Sequence, residues 1–301
     1  MEFRELTIKD KDGFDACQKE KVYIGSESCF TDIFCWRFAY QYEIAFEEGF
    51  VFLRGFYKQD GVPVPFYMYP AGSGNFQAAI EKIMQDADQR GVPLRILAVD
   101  DFYRDTLEKT FPGMFVFYED RDIFDYIYKV SDLAELKGKT YHGKKNHVNK
   151  FKKLYPEFAV EPISPENMAE CIEMNKEWCK ENGADPKDKP CGGSDEFCAV
   201  LQVFDHFDTL GCRGILIRVG GKVIAYTLGT PRNQDVFVTH FEKALYSYEG
   251  AFSVINQEFA KTLSGFEYIN REEDMGLEGL RKAKMSYKPE ILYRKYHAAR
   301  K

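Results

Sequence analysis

The run Asn270-Arg-Glu-Glu-Asp274 places three carboxylates, Glu273 and Asp274 among them, directly after an apolar strand-forming stretch. Arg281 and Lys284 follow on the next helical stretch. Loops beyond strand ends are where α/β proteins usually hold their ligands. A carboxylate there can take a proton from an attacking amine. A cation beside it can offset the negative oxygen that develops at a carbonyl. Glu273 and Asp274 are therefore candidate bases, Arg281 a candidate charge partner, and Asn270 and Lys284 candidate substrate ligands. The plainer alternative for each is a surface turn with helix-capping acids.

A second constellation is basic. Lys137, Lys139, Lys144, Lys145, Lys150, Lys152 and Lys153, with His142 and His147 among them, stand in a chain of net charge −7. Overall acidity argues against general nucleic-acid binding, but a local block can bind phosphate: a tRNA backbone, a nucleotide or an anionic headgroup. Lys144, Lys145 and Asn146 are its candidate ligands. A solvated helix face is the alternative. On a helix from Lys144 to Tyr155, Val148, Phe151 and Tyr155 share the buried face, so Lys145, Lys152 and Lys153 project outward. Lys144 falls in the first turn, where a cation opposes the helix dipole. In sequence, no acid follows the block before Glu157.

Other reactive residues read as structural. His240 lies in a strand-forming run and fits a buried, hydrogen-bonded side chain. The eight cysteines form no C-x-x-C pair, so a zinc or redox motif is not expected, and buried thiols are. Cys191 and Cys198 have no His at a diagnostic spacing for a thiol nucleophile. No metal and no resident cofactor is expected; a carrier-borne acyl group would be a co-substrate.

These residues need elements to hold them. The sequence has 301 residues, 45% of them hydrophobic, enough for a substantial core. The start lacks a basic region followed by an apolar run, and no stretch approaches the roughly 18 apolar residues that span a bilayer. A cytoplasmic protein is expected. In the first part, a helix is predicted from Asp10 to Glu20, then strands Tyr42–Phe46 and Gly49–Phe56. Pro63 and Pro65 are expected to interrupt regular structure before a short strand, Phe66–Tyr69. A helix from Phe76 to Gly91, strand Leu94–Val99, helix Phe102–Thr110 and strands Met114–Tyr118 and Ile123–Val130 follow.

The pattern then restarts, which predicts two domains, residues 1–130 and 131–301. Ser131 is the expected cap of a helix to Leu136. Helix Lys144–Tyr155, strand Phe158–Ile163 and a helix opened by Ser164-Pro165 come next. Residues 184–194 form a polar connection, followed by a helix, Asp195–Phe207. Gly214–Val219 and Val223–Gly229 make a hairpin about Gly220-Gly221. Strand Val236–Phe241, a helix carrying Phe252, Ile255, Phe259 and Leu263, strand Phe266–Asn270, helix Gly279–Tyr287 and strand Ile291–Tyr296 complete the chain. From Phe158 onward the order is β-α-α-β-β-β-α-β-α-β, that of a GNAT fold. The first part is a shorter version, without a residue-level repeat. The fold class is thus α/β (α+β): tandem GNAT-like, acyl-CoA N-acyltransferase-like domains with mixed sheets.

Several blocks carry a family resemblance: Asp125-Tyr-Ile-Tyr128, Asp132-Leu-Ala-Glu-Leu-Lys-Gly138, Lys139-Thr-Tyr-His-Gly-Lys-Lys-Asn-His-Val-Asn-Lys-Phe151, Tyr268-Ile-Asn-Arg-Glu-Glu-Asp-Met-Gly276 and Leu277-Glu-Gly-Leu-Arg-Lys-Ala-Lys-Met-Ser-Tyr287. Over nearly its whole length the chain resembles bacterial proteins grouped with the C-terminal domain of phosphatidylglycerol lysyltransferase. The resemblance implies tandem GNAT-like domains similar to the peptidoglycan aminoacyltransferases, which use aminoacyl-tRNA. It does not extend to lipid lysylation, because the membrane-embedded half of the lysyltransferase has no counterpart here. The expectation is an acyl or aminoacyl transferase that takes its group from aminoacyl-tRNA or another phosphate-bearing carrier and passes it to an amine or hydroxyl, with its site in the second domain.

A CoA-dependent N-acetyltransferase is one alternative. Its pyrophosphate loop, Gln/Arg-x-x-Gly-x-Gly/Ala, would open the helix after the fourth strand. Here Ser247-Tyr-Glu-Gly-Ala-Phe252 keeps Gly250, loses the flanking positions and sets Glu249 against a phosphate. A catalytically inactive GNAT-like binding protein is the other.

Overall fold

The computed structural model describes residues 1–18, 23–183 and 196–301. The polar connection 184–194 and Cys191 lie outside the described residues. In chain order the strands are β1 (Arg4–Glu5), β2 (Glu43–Glu47), β3 (Phe50–Gln59), β4 (Val62–Met68), β5 (Ala71–Gly72), β6 (Arg95–Val99), β7 (Phe115–Glu119), β8 (Asp125–Lys129), β9 (Ala159–Pro162), β10 (Arg213–Val219), β11 (Lys222–Pro231), β12 (Val236–Ala244), β13 (Tyr268–Asn270), β14 (Ile291–Tyr293) and β15 (Tyr296–Arg300). The helices are α1 (Lys11–Gln18), α2 (Phe30–Cys35), α3 (Phe76–Arg90), α4 (Asp101–Thr110), α5 (Val130–Glu135), α6 (His142–Leu154), α7 (Met168–Glu181), α8 (Glu196–Asp205), α9 (Phe207–Leu210), α10 (Ala251–Thr262) and α11 (Glu278–Met285). Among the described residues, no helix is long and apolar enough to cross a membrane.

Two compact units divide the chain: residues 1–124 with 293–301, and residues 125–292. The first holds a mixed sheet in the order β1-β2-β3-β4-β6-β15-β7, with β5 on β3. The second holds the order β14-β8-β13-β12-β11-β10-β9. Each has a parallel pair after three antiparallel steps along the sheet, β4 with β6 and β12 with β13. The duplication absent from the residues is therefore present in topology, and the fold is the tandem GNAT-like α+β arrangement.

The unit limits differ from a division at residue 130. β8 belongs to the second sheet, beside β13, through Tyr268↔Lys129 and Asn270↔Ile127. The last strand belongs to the first sheet, where Tyr296 is opposite both Val99 and Glu119. Both placements come from long-range backbone pairing, which leaves no mark in local sequence.

Other local differences have simple causes. Pro63 and Pro65 lie inside β4, opposite Lys58 and Phe56 of β3. β6 reaches only Tyr67 and Met68 of β4, so the prolines sit on an unpaired edge where no N–H is needed. α5 begins at Val130 with Lys129 as N-cap, so Ser131 lies within it. Ser164 and Pro165 form a turn closed by Asn167, and α7 starts at Met168. Cys17, Cys29, Cys35, Cys171, Cys179 and Cys212 are thiols, but Cys198 is disulfide-bonded, which corrects the expectation for that residue.

The second unit's core lies between its sheet and helices α5, α6 and α10. Val148 and Phe151 of α6 and Val254, Ile255 and Phe259 of α10 pack there against Tyr128, Ile217, Ile224, Phe237 and Ile269. That packing buries the apolar face of α6, as its spacing predicted, and brings its first turn to the end of the sheet.

Candidate functional site

The parallel pair β12–β13 is short. It runs through Val236↔Tyr268, Phe237↔Ile269 and Val238↔Asn270 and then stops. Beyond that point β12 continues with His240 and Glu242, and β13 passes into the loop of Arg271 to Asp274. Chemistry-bearing side chains therefore gather at the C-terminal end of a parallel pair, where α/β sheets commonly bind ligands.

The loop is held from three directions. Asn270 is fully buried; its Nδ2 donates to Asp125 Oδ2 at 2.8 Å and its Oδ1 accepts from the Glu272 N–H at 2.8 Å. Lys284 of α11 donates to the carbonyls of Arg271 (2.6 Å), Glu272 (3.2 Å) and Glu273. Its three ammonium protons are thus committed to three consecutive carbonyls. Burial lowers its pKa, and the Glu273 carboxylate opposes that shift. Asp274 is fully buried and takes a two-pronged bond from Arg281: Nε to Oδ2 at 2.8 Å and Nη2 to Oδ1 at 2.7 Å. Tyr126 Oη and the Gly276 N–H also donate to it. Burial alone would raise the Asp274 pKa; the Arg281 guanidinium, then Tyr126 and Gly276, outweigh it and hold it at about 2.

This geometry alters the roles suggested by residue type. Asp274 and Arg281 neutralise each other, and a carboxylate held that low is a poor base at neutral pH. Asn270 and Lys284 spend their polar atoms on the loop itself, as positioning groups. Glu273 is half-buried and carries no such ion pair with Arg281.

The basic block separates in the same way. Lys145 and Asn146 are exposed on α6, and Asn146 contacts His142 at 3.4 Å along the helix surface. Lys150 pairs with Glu249 at 2.6 Å, Lys152 with Glu258 at 3.2 Å and Lys137 with Glu135 at 2.7 Å. For Lys150 and Lys152 the partners are acids distant in sequence; for Lys137 the partner is its near neighbour Glu135. Lys144 alone turns to the strand opening. Its Nζ stands 3.9 Å from the centroid of the Tyr287 ring, a cation–π distance. Burial, then the nearby Arg271 charge, lowers its pKa to about 8.

Arg271 is the principal residue that sequence reasoning missed. Its Nη2 donates to Glu242 Oε1 at 2.7 Å, and its guanidinium lies 5.2 Å from the Tyr287 ring centroid. Its Nη1 is buried with no hydrogen-bond partner among the described residues. Asn256 of α10 donates to the other Glu242 oxygen at 3.2 Å and leaves its own Oδ1 buried without a partner among the described residues. A donor and an acceptor without partners thus flank one carboxylate. Buried polar groups are rarely left this way, and each costs about 1–3 kcal/mol unless something pairs with it. The sequence signal was the run Asn270–Asp274 itself, but chain position alone does not distinguish Arg271 from its neighbours.

His240 is buried, and burial lowers its pKa to about 3, so the ring is neutral. Nδ1 is 2.8 Å from Glu272 Oε1 and Nε2 is 2.7 Å from Thr230 Oγ1.

The expected pyrophosphate position is covered. Gly250 caps α10 at φ +89°, and a Cβ there would lie 2.7 Å from the His147 carbonyl of α6. Helix α6 therefore abuts the first turn of α10, where an acyl-CoA pyrophosphate would need room. Glu249 beside it is occupied by Lys150 rather than facing that turn unpaired. In the first unit, a cavity of about 30 Å³ is lined by residues including Gln18, Glu27, Tyr69 and Tyr103. It has room for a water or two and not for a substrate.

Comparisons with known proteins agree with this fold. A family model described as phosphatidylglycerol lysyltransferase, C-terminal, matches residues 22–299. A crystal structure of a conserved protein of unknown function from Bacteroides thetaiotaomicron VPI-5482 superposes with TM-score 0.91 at 37% identity, covering 99% of each chain. The structure of L-PGS from Bacillus licheniformis superposes with TM-score 0.65 at 18% identity, covering 97% of this chain and 92% of that one. Uncharacterized protein MYCGA3080 of Mycoplasmoides gallisepticum is 22% identical over 182 residues, 57% of this chain. That match spans about half, 54%, of the curated relative's length.

Proposed function

The chain belongs to the phosphatidylglycerol lysyltransferase C-terminal family, and from that premise we propose that its second unit moves an aminoacyl group from tRNA to an amine or hydroxyl acceptor. The observation that carries this reading is the buried, partnerless Nη1 of Arg271 beside Lys144 at the strand opening. Two cations and one carboxylate, Glu242, form a small site of net positive charge in an acidic chain. A carbonyl oxygen that becomes negative during acyl transfer satisfies Nη1, and Lys144 adds charge against it. Glu242 orients Arg271. Glu273 is the proposed base, since Asp274 is bound by Arg281. Exposed Lys145 and Lys153 give the carrier's phosphates a path along α6.

The covered first turn of α10 supports a tRNA carrier over acyl-CoA. No resident cofactor is part of this reading. The family name makes lysine and phosphatidylglycerol the first substrates to try, alongside amine acceptors.

The test is incubation of the purified chain with tRNA carrying radiolabelled amino acids, separately with phosphatidylglycerol vesicles and with an amine panel. The expected result is acceptor-dependent transfer of label, reduced about 100-fold or more by Arg271→Gln. Acetyl-CoA consumption without any transfer from tRNA would favour the CoA-dependent alternative. Neither activity, with tRNA still bound, would leave a binding protein.

A further inference from the structure

β12 carries one more residue than β11 where the two strands pair. Leu228 is opposite Phe241 and Gly229 is opposite Thr239, so His240 is the bulged residue. A bulge re-aims the side chain it carries, and bulges recur beside active sites. Here it turns His240 so that Nε2 reaches Thr230 Oγ1 on the neighbouring strand while Nδ1 reaches Glu272. Gly229 permits the approach: a Cβ there would lie 1.9 Å from the Val238 carbonyl oxygen.

The bond pattern sets the tautomer. The Glu272 carboxylate accepts, so Nδ1 carries the proton. Nε2 is then the acceptor for the Thr230 hydroxyl. Hydroxyl, imidazole and carboxylate stand in a line at 2.7 and 2.8 Å, drawn from β11, β12 and the loop after β13. This is the arrangement of an activated nucleophile, its base and the group that orients the base. Glu272 is held in place by an unusual backbone. Its φ is +55°, in the left-handed region that side-chain-bearing residues seldom occupy. Asn270 Oδ1 and Lys284 Nζ grip its N–H and C=O.

We propose that Thr230, His240 and Glu272 form a nucleophilic relay in which Thr230 takes up the acyl group before its transfer. The proposal deepens the acyl-transfer reading and rests on it for the donor alone. Thr230 Oγ attacks the ester carbonyl and its proton passes to His240 Nε2. The ester C–O bond to the carrier breaks, and His240 returns the proton to the departing carrier oxygen. The acyl group is now an ester of Thr230. An acceptor amine or hydroxyl attacks that ester, its proton passes to His240, and the Thr230 C–O bond breaks as Oγ is reprotonated. Burial alone lowers the His240 pKa; the Glu272 carboxylate at 2.8 Å from Nδ1 opposes that shift and steadies the transient imidazolium.

The experiment uses the full chain and p-nitrophenyl acetate, a donor that needs no tRNA. Intact mass and peptide mapping follow the acetyl adduct. One acetyl group should appear on the peptide holding Thr230, remain in Thr230→Ser, vanish in Thr230→Val and form about 100-fold more slowly in His240→Gln. Thermal melts verify that each variant is folded. Glu272→Gln separates relay from scaffold: it should slow acylation in a protein that still melts cooperatively. Label on another residue, no label at all, or an unchanged rate in Thr230→Val overturns the relay. The same Thr230→Val protein tested with charged tRNA distinguishes the two readings. Transfer that survives removes the relay and keeps the aminoacyl transferase. Acetylation of Thr230 in a chain that never uses charged tRNA keeps the relay and removes that donor.

Discussion

Asp274→Asn changes charge with little change of shape, and it separates an anchor from a base. In the folded chain the carboxylate is held at about 2, against about 3.9 in an unfolded chain. A difference near two units corresponds to about 2–3 kcal/mol of stability at neutral pH. Arg281 is one-third exposed, so water screens part of this, and about 2 kcal/mol is the expected loss. The larger figure of about 3–5 kcal/mol for a broken buried pair does not apply, because Arg281 can turn to solvent and leaves no stranded cation. The sign follows from the depressed pKa. The contribution is complete above the unfolded value and is lost as pH falls through about 2. Melting curves recorded across pH should therefore differ by about 4–8 °C at neutrality for a unit of this size and converge in strong acid. Transfer activity of the folded variant should remain within a few-fold of the parent. A variant that melts with the parent at pH 7 but loses transfer would refute this reasoning and restore Asp274 as the base.

Three further outcomes follow from the same geometry. Lys144 is held near 8, so its charge is present below that pH and lost above it; affinity for inorganic pyrophosphate should fall as pH rises through about 8, and Lys144→Arg should remove that fall. Lys145 and Lys153 are exposed and have no ion-pair partner among the described residues; replacing both with Ala should lower the salt slope of tRNA binding by about 1–2, measured by filter binding, with no change in melting. Gly229→Ala drives a Cβ into the Val238 carbonyl; it should cost about 1–3 kcal/mol in urea titration, and acetylation at Thr230 should slow with it.

Local pattern was enough for most elements. The apolar spacing of Val148, Phe151 and Tyr155 implied α6 and its buried face, and the pair Gly220-Gly221 implied the β10–β11 hairpin, because helix period, strand alternation and turn chemistry are written in neighbouring residues. The blocks around Lys144 and Asn270–Asp274 also carried the family and the region of the site. Tertiary structure decided which residues in those blocks face chemistry. Asp274 is bound because Arg281 comes round on α11, and Lys144 differs from Lys145 because one faces Tyr287 and the other solvent. Arg271 matters because Glu242 takes one arm of its guanidinium and leaves the other without a partner. His240 meets Thr230 only through a one-residue excess in β12, a shift that exists in pairing between strands and nowhere in either strand alone. The exchange of β8 and β15 between sheets has the same origin. Composition and period follow local free energy, whereas register, bulges and ion pairs depend on which distant segment the backbone meets.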